Sequence, residues 1–148
     1  DLAGQKRYAI DDAMKAGLQK RYFAGCVNED GIRAEIRRTW AEDHYLMDTH
    51  TAVASAVLRA YQQQTGDARQ SVIVSTASPY KFGASVLGAV AGQEVCSGLD
   101  DFACCRALAE LTGTKEPAQI LALPNLPIRH TAVCEKDQMA QAVLDAVK

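Results

Sequence analysis

Residues 71–82, Ser-Val-Ile-Val-Ser-Thr-Ala-Ser-Pro-Tyr-Lys-Phe, constrain this chain more than any other stretch. Val72, Ile73 and Val74 are consecutive β-branched residues, too short a run for a buried helix, and they predict a strand at about 72–75 buried on both faces. Strands of that kind belong to parallel sheets, so the expected class is α/β. The run then turns to small hydroxyl side chains, Ser75, Thr76 and Ser78, before Pro79 ends it. Open α/β sheets bind ligands at the carboxyl ends of their strands, which makes these hydroxyls candidates for ligand contact. The same groups could equally cap the helix that follows.

The chain of 148 residues fits one domain, 1–148, and is long enough to bury a core. It begins with Asp and opens directly into a polar helical pattern, so the expectation is a piece of a longer protein. A net charge of −2 leaves no electrostatic footprint for nucleic acid. No apolar run approaches the roughly 18 residues that span a bilayer, and no membrane partner is expected. Arg33, Arg37 and Arg38 alternate with Glu35, Glu42 and Asp43 and read as a solvated helix face. The five cysteines include no C-x-x-C pair, which points to reduced thiols in a cytoplasmic setting rather than a disulfide framework or a zinc site.

Helices dominate the periodicity. Ile10, Met14, Leu18 and Tyr22 predict an amphipathic helix over residues 8–23, and Ile32, Ile36 and Trp40 a second, capped by Asn28 and ending near Asp43. A third follows Asp48 and ends at Gly66, with an apolar face of small residues. A fourth begins near Ala84 and breaks at Gly92, and a fifth opens at Asp100 and Asp101, turns Cys104, Leu108 and Leu111 inward and closes at Gly113. Residues 129–134 suggest a short second strand, and Met139, Val143, Leu144 and Val147 mark a terminal helix. So many helices with so few strands suggest that most of the sheet lies elsewhere.

Few residues offer self-contained chemistry. The only histidines are His44, His50 and His130; none sits beside a convincing nucleophile, and there is neither a G-x-S-x-G motif nor a Gly-rich phosphate loop. Asp48 is a natural N-cap, so the amides around His50 and Thr51 would face out of a helix N-terminus, which suits either plain capping or a bound anion. Lys81 lies just past the polar end of the expected strand.

Two ordered blocks carry a resemblance. Thr-Ala-Ser-Pro-Tyr-Lys-Phe at 76–82 resembles the Thr-Ala-His-Pro-x-Lys-Phe motif of threonine synthase, and Asp-Thr-His-Thr-Ala-Val at 48–53 resembles that family's Asp-Pro-His-Thr-Ala-Val block. Ser78 stands where the family commonly has His, and Thr49 where it has Pro. The resemblance implies the helix-rich C-terminal portion of a fold-type-II pyridoxal 5'-phosphate enzyme. That enzyme converts O-phosphohomoserine and water to threonine and phosphate. The family's cofactor-bearing lysine belongs to an earlier part of its chain, so the segment alone is expected to be inactive, with no catalytic residue of its own. The resemblance assigns Thr76 to the cofactor's pyridine nitrogen. Lys81, His50, Thr51 and Ser75 are then the candidates for the substrate's phosphate. The implied partner is the remainder of the threonine synthase chain, whose absence would favour self-association through an exposed apolar surface. A reading of another class is a non-catalytic α/β module that binds a phosphorylated ligand or a protein partner through the same strand end and helix N-terminus.

Overall fold

The structure, a computed structural model, describes residues 2–147. Four helices make its packed centre; three of them, and the turn that leads into the fourth, start where a side chain supplies an acceptor for free backbone N–H groups. After a single turn, α1 (Leu2–Gln5), and a short helix, α2 (Asp12–Gln19), comes α3 (Glu29–Asp43). Asn28 Oδ1 accepts from Gly31 N at 2.9 Å, and Glu29 and Asp30 place negative charge in the first turn of α3. His44 ends α3 in the left-handed region with φ 51°, an uncommon conformation for a residue with a Cβ, and its ring lies edge-on to Trp40. The chain then bends through residues 45–47 into α4 (Thr49–Thr65), which closes at Gly66 with φ 72°.

From Gly66 the backbone runs without regular structure to Ser78, which caps a 3₁₀ turn, Pro79–Phe82, leading into α5 (Gly83–Ala91). A second 3₁₀ turn, Gln93–Cys96, connects to α6 (Asp101–Thr112), whose cap Asp100 accepts from Ala103 N at 2.6 Å. Helix α3 packs against both α4 and α5, and α5 against α6. Ile36, Ala52, Val86, Leu87, Ala89, Cys104 and Leu108 fill the space between them. A fully buried Val or Leu stabilises by about 1.5–3 kcal/mol, so Val86 and Leu87 make α5 the best-held helix of the group. Gly83 is what lets α5 lie so near α6: a Cβ there would sit 2.5 Å from Cys105 Sγ.

Glu35 corrects the expectation of a solvated charged face on α3. It is only 5% exposed, and its carboxylate takes hydrogen bonds from Arg38, from Ser55 at 2.7 Å and from Arg59 at 2.7 Å, tying α3 to α4. Burial alone would raise the Glu35 carboxyl, but hydrogen bonds from Arg38, Ser55 and Arg59 outweigh it and hold the group down at about 2. Arg37 is likewise engaged, donating from Nε to the carbonyl of Ala89 on α5 at 2.9 Å.

The α/β expectation is overturned. Among the described residues there is no strand and no sheet. Residues 72–75 have no regular structure and pair with no strand, with Val72 88% and Val74 76% exposed. β-branched side chains favour extended dihedrals, yet a strand also needs neighbours for its N–H and C=O groups, and none lies beside it. Residues 129–134 are irregular and exposed for the same reason. The helix expected over residues 8–23 shrinks to α2, on which Met14 and Leu18 remain exposed. Leu111, expected inward, faces out, whereas Cys104 and Cys105 are both buried. After α7 (Ala118–Ala122) the chain ends in a 3₁₀ turn, Lys136–Gln138, and α8 (Met139–Ala146), which buries none of its apolar residues.

Candidate functional site

The first turn of α4 and the approach to α5 meet at one place, and the reason is a buried carboxylate. Asp48 is 0% exposed, and a charge so placed persists only if its lone pairs are satisfied. Oδ1 accepts from His50 N at 2.8 Å, lies 3.1 Å from His50 Nδ1 and takes a longer bond from Thr51 N at 3.4 Å. Oδ2 accepts from the Thr51 hydroxyl. Burial by itself would raise the Asp48 carboxyl, but the Thr51 hydroxyl, the His50 amide and ring and the Thr51 amide together hold it below the ordinary range. Asp48 is therefore ionised, and an ionised carboxylate only accepts.

Two proton positions follow. The Thr51 hydroxyl has a single proton, which the carboxylate takes, so the 3.0 Å contact between Thr51 and Ser75 is filled by the Ser75 proton. His50 must carry a proton on Nδ1, because the atom facing Nδ1 is a carboxylate oxygen. Asp48, Thr51 and Ser75 form a hydrogen-bonded row that joins α4 to the irregular segment before Pro79.

Across from this row, the His50 ring packs at 5.0 Å against Phe82, tilted by 54°. Lys81 Nζ lies 6.0 Å from the centre of the same Phe82 ring, at the outer limit of a cation–π contact. The structure thus brings His50, Thr51 and Ser75 into one cluster and sets exposed Lys81 beside it through Phe82. Thr76 follows Ser75 in the exposed segment and takes no part in these hydrogen bonds. Ser75 and Thr76 do not stand at the end of a sheet strand as expected; the hydroxyl of Ser78 accepts from Tyr80 N at 3.3 Å and serves as a cap.

Asp48 and Phe82 are the members that sequence reasoning undervalued. Asp48 was expected as an N-cap only; the signal for more was the spacing Asp-x-His-Thr, which puts a ring and a hydroxyl within reach of the capping carboxylate. Phe82 gave no signal beyond its place in the Lys-Phe pair. On the far side of Lys81 and Phe82 lies a cleft of about 380 Å³, walled also by Tyr80, Phe102, Cys105 and Ile120. It does not reach His50, Thr51 or Ser75. Burial pushes the thiols of Cys104 and Cys105 up, so neither is a ready nucleophile. Among the described residues no group of three or more His, Cys, Asp or Glu could hold a metal ion, and no helix is long and apolar enough to cross a membrane.

Comparison with known proteins takes in Thr51, Ser75, Lys81 and Phe82 of the cluster, while Asp48 and His50 lie just before the matched stretch. The family described as threonine synthase, C-terminal, matches residues 51–143. Human threonine synthase-like 1 is 31% identical over 94 residues, which are 64% of this chain and 12% of that protein. Its Pongo abelii counterpart is 30% identical over 94 residues with the same coverage, so the chain spans a small part of the length of the curated relatives it matches. Because the family match takes in the larger part of the sequence, including Thr51, Ser75, Thr76 and Lys81, this chain belongs to the threonine synthase family.

Proposed function

We propose that this chain is a single C-terminal segment, 1–148, of a threonine synthase, a lyase that converts O-phosphohomoserine and water to threonine and phosphate. One observation carries the reading: the His50–Phe82 contact joins the block at 48–53 to the block at 76–82, two stretches far apart in sequence, and the Asp48–Thr51–Ser75 row ties the first block to the residue just before the second. A phosphorylated substrate needs cations and donors, and the cluster offers them in Lys81 and the His50 ring. Thr51 and Ser75 order the cluster instead, since the proton of Thr51 is committed to Asp48 and that of Ser75 to Thr51.

Pyridoxal 5'-phosphate, when bound, supplies the electron sink for loss of phosphate at Cγ and addition of water at Cβ. The residues of this chain suit one edge of it. Thr76 is exposed beside Ser75, and its neutral hydroxyl suits the pyridine nitrogen. The chain has no Gly-rich loop to cradle the cofactor's phosphate, and the cofactor-bearing lysine belongs to the remainder of the enzyme. That remainder is also the natural cover for Val72, Val74 and the apolar faces of α2 and α8. Without it the segment is inactive and self-associates. Five unpaired thiols suit a cytoplasmic setting.

The test is made in the full-length protein. Lys81→Ala raises KM for O-phosphohomoserine or lowers kcat, because a desolvated charge-assisted contact is worth about 1.5–3 kcal/mol. Thr76→Val, which conserves volume, shifts the cofactor's absorption or weakens its retention. Parent-like kinetics and spectra in both variants would remove this segment from the active site.

A further inference from the structure

The capping role of Asp48 leaves something unexplained. An Asn or Ser would cap α4 about as well, and neither would bury an ionised carboxylate. What the carboxylate adds is its grip on the ring: Asp48 Oδ1 holds His50 Nδ1 at 3.1 Å while the ring itself is 66% exposed. Nε2 makes no hydrogen bond among the described residues, and the ring packs on Phe82, whose ring Lys81 Nζ approaches at 6.0 Å. The charged group in contact with the ring is Asp48 from its own helix start; Thr49 and Phe82, which also touch it, bring no charge, and Lys81 is linked to it only through the Phe82 ring.

We propose that Asp48 is a positioning residue that holds His50 through Nδ1–H, so that Nε2 delivers a proton to the phosphate as it departs. The proposal rests on the threonine synthase reading. In the charged ring Nδ1–H stays on Asp48 and Nε2–H points at a phosphate oxygen. As the electron pair freed at Cβ by loss of its proton closes the Cβ–Cγ double bond, the Cγ–O bond of the substrate breaks with its pair on the phosphate oxygen, and the Nε2 proton moves to that phosphate. His50 ends neutral, Asp48 stays ionised, and solvent returns a proton to Nε2 before the next turnover. The buried row explains why Asp48 does not take that proton itself: the Thr51 hydroxyl and two amides already fill its remaining lone pairs. Lys81, whose Nζ lies 6.0 Å from the centre of the Phe82 ring on which His50 packs, adds a positive charge to bind the phosphate.

The experiment uses the full-length protein with ¹⁵N-labelled histidine, the His50 signals being assigned by their loss in His50→Gln. In the parent, neutral His50 carries its proton on Nδ1; in Asp48→Asn, which keeps a capping oxygen, the population moves toward the Nε2–H form. With O-phosphohomoserine, Asp48→Asn lowers kcat by about tenfold to a hundredfold and leaves KM within about threefold, as expected when a partner that orients a working His is lost. Two results would overturn the proposal: a parent His50 in the Nε2–H form, read without any variant, or an Asp48→Asn enzyme with parental kcat. A parent that turns over no O-phosphohomoserine would instead overturn the threonine synthase reading, and the proton transfer with it, whatever the tautomer.

Discussion

Helices α5 and α8 are nearly the same length, 9 and 8 residues, and both are rich in apolar side chains, yet they end in opposite surroundings. Val86, Leu87 and Ala89 of α5 are buried against α3 and α6, whereas Met139, Val143 and Leu144 of α8 face solvent. The contrast extends to the connection before α5: the turn Pro79–Phe82 is anchored by Tyr80, whose hydroxyl bonds to Thr114, while Val72 and Val74 a few residues earlier touch little. Local sequence sets which dihedrals a segment adopts. Whether its apolar face is buried depends on what else is present to cover it.

The largest expected effect separates the two helices directly. Leu87→Ala should cost about 2–5 kcal/mol in urea unfolding of the 148-residue chain, and Val143→Ala less than about 0.5 kcal/mol. Equal losses would break the comparison and give α8 a role in the core. Next comes the buried carboxylate of α3. Glu35→Gln should cost about 2 kcal/mol, since hydrogen bonds from Arg38, Ser55 and Arg59 to a charged group are weakened at once. Its pH signature has a definite sign. Held down at about 2 from 4.5, Glu35 contributes stability that is complete above pH 4.5 and is lost as pH falls toward 2. The Gln variant should lack that component, and an acid titration followed by circular dichroism with the same profile for both proteins would contradict it. A smaller loss, about 1 kcal/mol, is expected for Gly83→Ala, where crowding of Cys105 is partly offset by better helix propensity. Thermal melts resolve it, and a stabilised variant would mean that α5 and α6 can move apart freely. Smallest of all, Val72→Ser should leave the stability of the isolated chain unchanged to within about 0.5 kcal/mol.

Much of the packed region was legible in the sequence because its signals are local. Asn28, Asp48 and Asp100 cap helices where their short acceptors precede a periodic run, and Gly66 and Gly113 close helices at positive φ. Pairing is different. Val72, Ile73 and Val74 carry the side chains of a strand, but a sheet is a relation between segments, and a triplet of residues cannot say that its neighbour is missing. Burial of Glu35 was hidden for a related reason: its partners Ser55 and Arg59 lie on another helix, so on α3 alone the pattern of Arg and Glu looks solvated. At the candidate site, His50, Thr51, Ser75 and Lys81 were named from motif order. That Asp48 binds both the ring and the hydroxyl, and that Phe82 bridges His50 to Lys81, needed coordinates.

The central claim is that this chain supplies one side of a threonine synthase active site whose cofactor-bearing part lies in the rest of the protein. The most direct measurement assays the full-length protein and the 148-residue chain side by side, each with pyridoxal 5'-phosphate and O-phosphohomoserine, for threonine and inorganic phosphate. The account predicts equal amounts of both products from the full-length protein and neither from the segment. Threonine formation by the segment alone, or none by the full-length protein, would contradict it.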